Sequence, residues 1–279
     1  MSAVTTATGV RPVRRRRFRL SRGVVLAALL AVALIILAPF LYVILAAFQV
    51  EGQSGYSTAN WTTLFQSLPL GHDMVNSAIL AVGSAFGTVM IGSLAGFACA
   101  KLRFPGSQVL LFCSIGTVAI PVISIIVPEY VNASKVGLLG SYPSTILLYT
   151  AFNSGLGVFF MTTYFRGLPD SLIESALVDG SSYVRIFRRI ILPLSLPAMV
   201  TVGVLVFIIV WNDFLVALLF MQGSDTQTAS VGLATLASQH SANLGPVMAG
   251  SLVTTIPGVV TYVFFQRYLV AGLTAGVER

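Results

Sequence analysis

The sequence predicts an all-α, polytopic membrane protein with six transmembrane helices and a cytoplasmic helix-turn-helix between the fourth and the fifth. Three observations carry this prediction. Hydrophobic residues make up 56% of the 279 and charged residues only 9%, with a mean hydropathy of +0.90, too few charges to cover a water-soluble surface. Several apolar runs exceed the roughly 18 to 20 residues that carry a helix across about 30 Å of hydrocarbon. A polar island over residues 167–193 interrupts them. A membrane barrel would instead show short alternating strands.

The spans follow in order. They cover about Val24 to Phe48, Asn76 to Ala100, Gln108 to Val131, Ser144 to Phe165, Leu194 to Met221 and Pro246 to Phe265. In domain terms, residues 1–23 are a basic leader, 24–270 the membrane domain and 271–279 a tail. On the second span, Gly83 with Gly87 and Gly92 with Gly96 are spaced four apart and allow another helix to approach closely. Pro121 and Pro128 in the third span and Pro257 in the sixth are kink positions, which membrane helices also tolerate for structural reasons. Cys99 and Cys113 have no metal-ligand spacing and read as core packing.

Charge placement tests the span count, because cytoplasmic loops carry the Lys and Arg excess. With the N-terminus inside, fifteen of the sixteen basic residues fall on the cytoplasmic side and only Lys135 outside. Seven are in the leader (Arg11, Arg14, Arg15, Arg16, Arg17, Arg19, Arg22); Lys101 and Arg103 follow the second span, Arg166 follows the fourth, Arg185, Arg188 and Arg189 occupy the island, and Arg267 and Arg279 follow the sixth. Both termini are therefore expected in the cytoplasm. The Arg run abutting an apolar helix anchors orientation on anionic lipid rather than binding nucleic acid. The first apolar run outlasts the usual 7 to 15 residues of a signal-peptide core, so the first helix is expected to stay attached.

The island has readable physics. Pro169 and Asp170 suit the first turn of a short helix with Leu172, Ile173, Ala176 and Leu177 on one face, and Gly180 suits its end. Ser181 or Ser182 suits the start of a second helix, whose stripe is Tyr183, Ile186, Phe187, Ile190 and Ile191. Arg185, Arg188 and Arg189 fall off that stripe. Periodicity leaves two readings open: helices lying on lipid with arginines at the headgroups, or a loop built to dock.

Glu174, Ala176, Gly180, Ile190 and Leu192-Pro193 stand at spacings that resemble the coupling loop, often called the EAA loop, of permeases in binding-protein-dependent ABC importers. Ser175 departs from the usual Ala. The whole chain is similar to the shorter permease of maltose-type carbohydrate importers, with Asn76-Ser77, Trp211-Asn212-Asp213 and the tail Gly272-Leu273-Thr274-Ala275-Gly276 as softer matches. The resemblance implies a multi-pass protein of a bacterial inner membrane that forms half of a pathway for a sugar or polyol, moved by alternating access. It also implies a second permease as heterodimer partner, two copies of a cytoplasmic ATPase, an extracytoplasmic solute-binding protein and contact with membrane lipid. Glu174, Ser175, Ala176, Asp179, Gly180, Ile190, Leu192 and Pro193 would then form the coupling loop, with Glu174, Ala176 and Gly180 on the docking surface. This chain is expected to bind no cofactor, ATP and Mg belonging to the ATPase.

Trp211, Asn212 and Asp213 lie within the fifth span, where an acid faces the bundle interior or water. They suit a solute path, an aromatic face and hydrogen-bonding groups fitting a polyhydroxylated ligand, or a structural bond to a neighbouring helix. Asp213 also keeps a secondary, ion-coupled carrier open as the alternative, as is an ABC permease for a glycerol phosphate, although no repeated pair of broken helices is visible. No phosphate loop ending in Lys-Ser or Lys-Thr is present, and His72 and His240 belong to no catalytic or metal-binding set, so an enzyme is not expected. Residues 51–73, with Tyr56, Trp61, Phe65 and Pro69, form an outer segment that reads as a binding-protein contact or an interfacial cap.

Overall fold

The structure, a computed structural model, describes residues 22–50, 55–102, 104–223, 225–240 and 243–274, with the backbone alone for 22 and 270–274. The leader arginines before Arg22, Arg103, Glu51 and the tail from Ala275 to Arg279 lie outside the described residues.

Every described element is helical: α1 (Arg22–Phe48), α2 (Ala59–Ser67), α3 (Leu70–Lys101), α4 (Ser107–Val118), α5 (Val122–Lys135), α6 (Tyr142–Gly167) and α7 (Ser171–Val178) come first. Then follow α8 (Tyr183–Ile186), a π turn (Phe187–Ile191), α9 (Leu192–Leu194), α10 (Leu196–Trp211), α11 (Leu215–Phe220), α12 (Ala229–Gln239) and α13 (Gly245–Thr274). Four helices are long and apolar enough to cross a bilayer, and six spans result when two bent pairs each count as one. Contacts divide the chain after Val43. The first unit's described part belongs to α1, which is apolar all round, as a membrane span is.

In the second unit α3 is central, flanked by α6 and α10. The seam with α6 is built from small residues, as the second-span glycines predict. A Cβ on Gly92 would stand 2.7 Å from the carbonyl carbon of Gly157, and one on Gly96 would stand 2.9 Å from Met161 Cβ. Gly83 faces Ile146 and Gly87 faces Thr150 along the same ridge. Gly155 lets α6 approach α4 equally closely at Ser114 and Thr117.

Two spans differ from expectation. The third breaks at Ala119–Pro121, where α4 and α5 meet at 93°; Pro121, extended at φ −62° and ψ 127°, starts the new direction. Pro128 and Pro257 stay inside continuous helices. The fifth stops at Trp211 and resumes at Leu215, so Asp213 sits in a break rather than mid-helix. Cys99 is buried as read from the sequence, whereas Cys113 is exposed on α4. The outer segment carries α2, whose Leu64 is fully buried and whose Trp61 packs on Phe48 at 5.5 Å. Asn60, 2% exposed, donates from Nδ2 to the carbonyl oxygens of Ala47 and Gln49, which fixes α2 as a cap on the fold.

Because backbone atoms cannot yield at the α3–α6 seam, Gly92→Ala is expected to destabilise the chain by on the order of 1 to 3 kcal/mol. Gly203→Ala, whose nearest neighbour would be 3.7 Å away, is the neutral control. Melting in detergent, followed by tryptophan fluorescence, checks the difference.

Candidate functional site: the coupling loop and the fifth-span break

The island is held from inside. Leu168 is extended, so the chain leaves α6 and turns at Pro169 into α7. Lys101, at the last position of α3, donates from Nζ to the Leu168 carbonyl at 2.6 Å and pairs with the Asp170 carboxylate. Ile173 and Ala176 turn inward and join the core, at 7% and 8% exposure. At its C-terminus the amide of Ser181 donates to the Ala176 carbonyl and that of Gly180 to the Leu177 carbonyl. This pairing is a Schellman motif, and it places Gly180 at φ +76°, a conformation that glycine adopts without Cβ strain.

The second limb begins where Ser182 Oγ accepts the Arg185 amide at 3.4 Å. Ile186, Phe187 and Ile191 are buried, Ile190 is half-buried and Tyr183 is exposed. The stripe therefore packs against the protein's own core, Phe187 against Phe97 at 5.0 Å and Phe97 against Phe165 at 6.1 Å, rather than lying on lipid. Arg185, Arg188 and Arg189 point outward.

The limb is not the single amphipathic helix expected from the sequence. It widens into a π turn, the Leu192 amide reaching the Phe187 carbonyl, and the segment from Tyr183 to Leu194 meets α10 at 72°. Pro193 and Pro197 explain the departure: neither has an N–H, so two successive turns of the α-helical ladder go unmade. Around the bend the Tyr164 hydroxyl donates to the Leu194 carbonyl at 2.9 Å, and Ser195 N and Oγ donate to the Ile191 carbonyl at 3.0 and 2.7 Å.

Of the residues marked from the sequence, Glu174, Ser175, Asp179, Gly180 and Pro193 are exposed, and Ile190 and Leu192 are half-buried. Ala176 differs from the others: its side chain faces inward, where a larger one would push α7 off the core. Two contributors escaped sequence reading. Val178 is 88% exposed at the tip of α7, an apolar side chain outside the predicted face. Lys101 registered only as one more cytoplasmic charge.

The fifth-span break gathers a second set. Trp211 is buried, stacked on Phe207 at 5.6 Å and 19°, and its Nε1–H donates to the Thr254 carbonyl at 3.0 Å. Asp213 caps α11: Oδ1 accepts the amides of Val216 at 2.9 Å and Ala217 at 3.3 Å, and the Tyr149 hydroxyl at 2.8 Å. These are bonds of the kind the structural alternative expects. Asn212 is exposed and, with Trp211, Ser230, Thr254 and Thr255, lines a cavity of about 310 Å3. No group of three His, Cys, Asp or Glu side chains able to hold a metal occurs among the described residues.

A helical bundle of membrane spans with a rigid, solvent-facing helical loop between the fourth and fifth defines a permease subunit worked by a separate partner. The chain belongs to the family described as binding-protein-dependent transport system inner membrane component, whose model matches residues 89–274. It is a membrane transport subunit and not an enzyme. The trehalose transport permease SugB of Mycobacterium tuberculosis is 34% identical over 222 residues, 79% of this chain and 81% of that one. The trehalose/maltose permease MalG of Thermococcus litoralis is 37% identical over 202 residues, covering 72% and 73%. Among solved structures, a bacterial ABC transporter that imports the acidic polysaccharide alginate superposes with a TM-score of 0.74 over 89% of this chain and 98% of that one, at 21% identity, a likeness of fold.

Removing the Asp213 carboxylate takes away a cap worth about 1 kcal/mol and leaves the Tyr149 hydroxyl without its partner. Asp213→Ala is therefore expected to lower the melting temperature, and its effect and that of Tyr149→Phe are expected to be less than additive in a double-mutant cycle.

Proposed function

We propose that this chain forms half of the translocation pathway of an ATP-driven ABC importer for a sugar or related polyol. Its partners are a second permease in a heterodimer, two copies of a cytoplasmic ATPase and an extracytoplasmic solute-binding protein. ATP and Mg are used by the ATPase. The observation that carries the reading is the coupling loop, braced from three sides and presenting Glu174, Ser175, Val178, Asp179 and Gly180 outward. The substrate class rests on the relatives, named for trehalose, maltose, diacetylchitobiose and alpha-glucosides. The placing of Arg166, Arg185, Arg188 and Arg189 on the loop side supports a cytoplasmic position for both termini.

In this reading α7 enters a cleft of the ATPase, and closure of the two ATPases displaces the loop as one body. Trp211 and Asn212, at the cavity beside α13, are the solute-path residues of this chain, and Asp213 supports them by holding the break. Asp213 as the proton relay of an ion-coupled carrier is disfavoured, because its Oδ1 already serves two amides and a hydroxyl.

Two variants test the docking. Gly180→Ala places a Cβ in the left-handed region at a cost of roughly 1 to 2 kcal/mol, without touching any neighbour within the chain. Gly180→Arg adds bulk on the outer surface. The expected outcome is a modest loss of ATPase in the purified complex for Gly180→Ala and complete loss for Gly180→Arg and Glu174→Lys, with membrane insertion unchanged. Full ATPase retention and full import with Gly180→Arg would refute the docking.

A further inference from the structure

We infer that Lys101 is a positioning residue for transport: it fixes the entry turn of α7 and makes α3 move with the coupling loop. The inference rests on the docking reading for its functional meaning and on geometry for the link itself.

The covalent chain ties α7 to two spans only. Residues 168–170 lead into it from α6, and residues 179–195 lead from it to α10. No backbone connects it to α3, the helix at the centre of the second unit. Two side chains of α3 tie it to the segments that flank α7: Phe97 packs on Phe165 of α6 and on Phe187 of the π turn, and Lys101 bridges to Leu168 and Asp170 of the entry turn. The aromatic contacts are non-directional, whereas the ammonium donates charge-assisted hydrogen bonds to a carbonyl and a carboxylate of the entry turn.

The lysine is also unusually placed for a surface charge. Its side chain is 4% exposed, while that of Asp170 is 69% exposed. The exposed carboxylate leaves the pair screened on one side while the buried ammonium has given up its water, so net stabilisation explains this arrangement poorly. A desolvated ammonium holding the turn that enters α7 explains it better. Asp170 makes no side-chain cap bond to α7, its carboxylate being turned to Lys101 instead. An eight-residue helix is too short to persist in water by its own propensity and takes its position from its buried Ile173 and Ala176 and from what grips its ends. The Schellman turn grips one end and Lys101 the other.

Beside the bridge lies an open cleft of about 930 Å3, lined among others by Gln108, Arg166, Asp170, Glu174 and Tyr183. Because the cleft lies between α7 and the ends of α3 and α4, few other contacts hold that face of α7 to them once the bridge is cut.

The test uses the whole complex purified with its own ATPase and placed in nanodiscs. Spin labels go on α7 at Ser171→Cys and on α3 at Leu94→Cys, with the exposed Cys113 replaced by Ser. Distances are read without nucleotide and after trapping with Mg-ATP and vanadate. In the native background the distribution is expected to be narrow and the same in both states. In Lys101→Met it is expected to broaden already without nucleotide and to shift on trapping, and Lys101→Arg is expected to restore the native pattern. A native-width, unshifted distribution in Lys101→Met overturns the inference. If Lys101→Met fails to assemble, Asp170→Asn, altered at an exposed side chain, is read the same way; broadening supports the inference and native width overturns it. Co-purification of the ATPase with Gly180→Arg judges the docking reading separately, and the nucleotide-free width is independent of that result.

Discussion

The close seam between α3 and α6 is the constraint from which the rest of the second unit follows. In a bilayer an apolar side chain gains nothing by leaving lipid for another helix, so spans associate through close packing and directed polar contacts. Gly92 against Gly157, and Gly96 against Met161, bring the two backbones to a separation that no larger residue permits. Ser84, Thr88, Ser93, Thr150 and Thr162 are buried in the same pair of helices, small enough to keep that separation. With α3 and α6 fixed, α10 lies against α3 and α4 meets Gly155 on α6. The coupling loop then hangs from helices whose spacing cannot drift.

Rigidity of the loop is a local achievement built on that frame. Its first limb is gripped at both ends, and its second limb sinks Ile186, Phe187 and Ile191 into the core that Phe97 and Phe165 already occupy. The two prolines that break the helical ladder at the entrance to α10 make the 72° turn, and Tyr164 and Ser195 satisfy the carbonyls around it. On the proposed docking, a loop seated this way passes a displacement to the core in which its second limb is buried.

Much of this was legible in the sequence. The apolar runs, the basic residues and the glycines at positions 83, 87, 92 and 96 report membrane insertion and packing directly, since each is set by a one-body or nearest-neighbour rule. The loop's turn chemistry was legible for the same reason: Pro169, Gly180 and Ser182 act locally. What escaped depends on distant partners. Asp213 reads as an isolated intramembrane acid until Tyr149, 64 residues away, and the start of α11 supply its hydrogen bonds. Lys101 reads as a topology marker until Leu168 and Asp170 are brought to it across 67 and 69 residues. The 93° break at Pro121 and the continuous helix through Pro128 show the same limit, because a proline bends a span only where neighbours leave the freed carbonyl another partner or none at all.

The inward turn of Ala176 separates the loop's motif into two vocabularies. Ala176, Ile173 and Ile191 answer to the fold of this subunit, while Glu174, Ser175, Val178 and Asp179 answer to whatever lies beyond it. On the proposed docking, grafting this subunit's partner preference onto a related scaffold means transplanting the outer side chains and leaving the inner ones native to the host. A graft of the whole contiguous loop would carry foreign core residues with it and test folding instead of recognition.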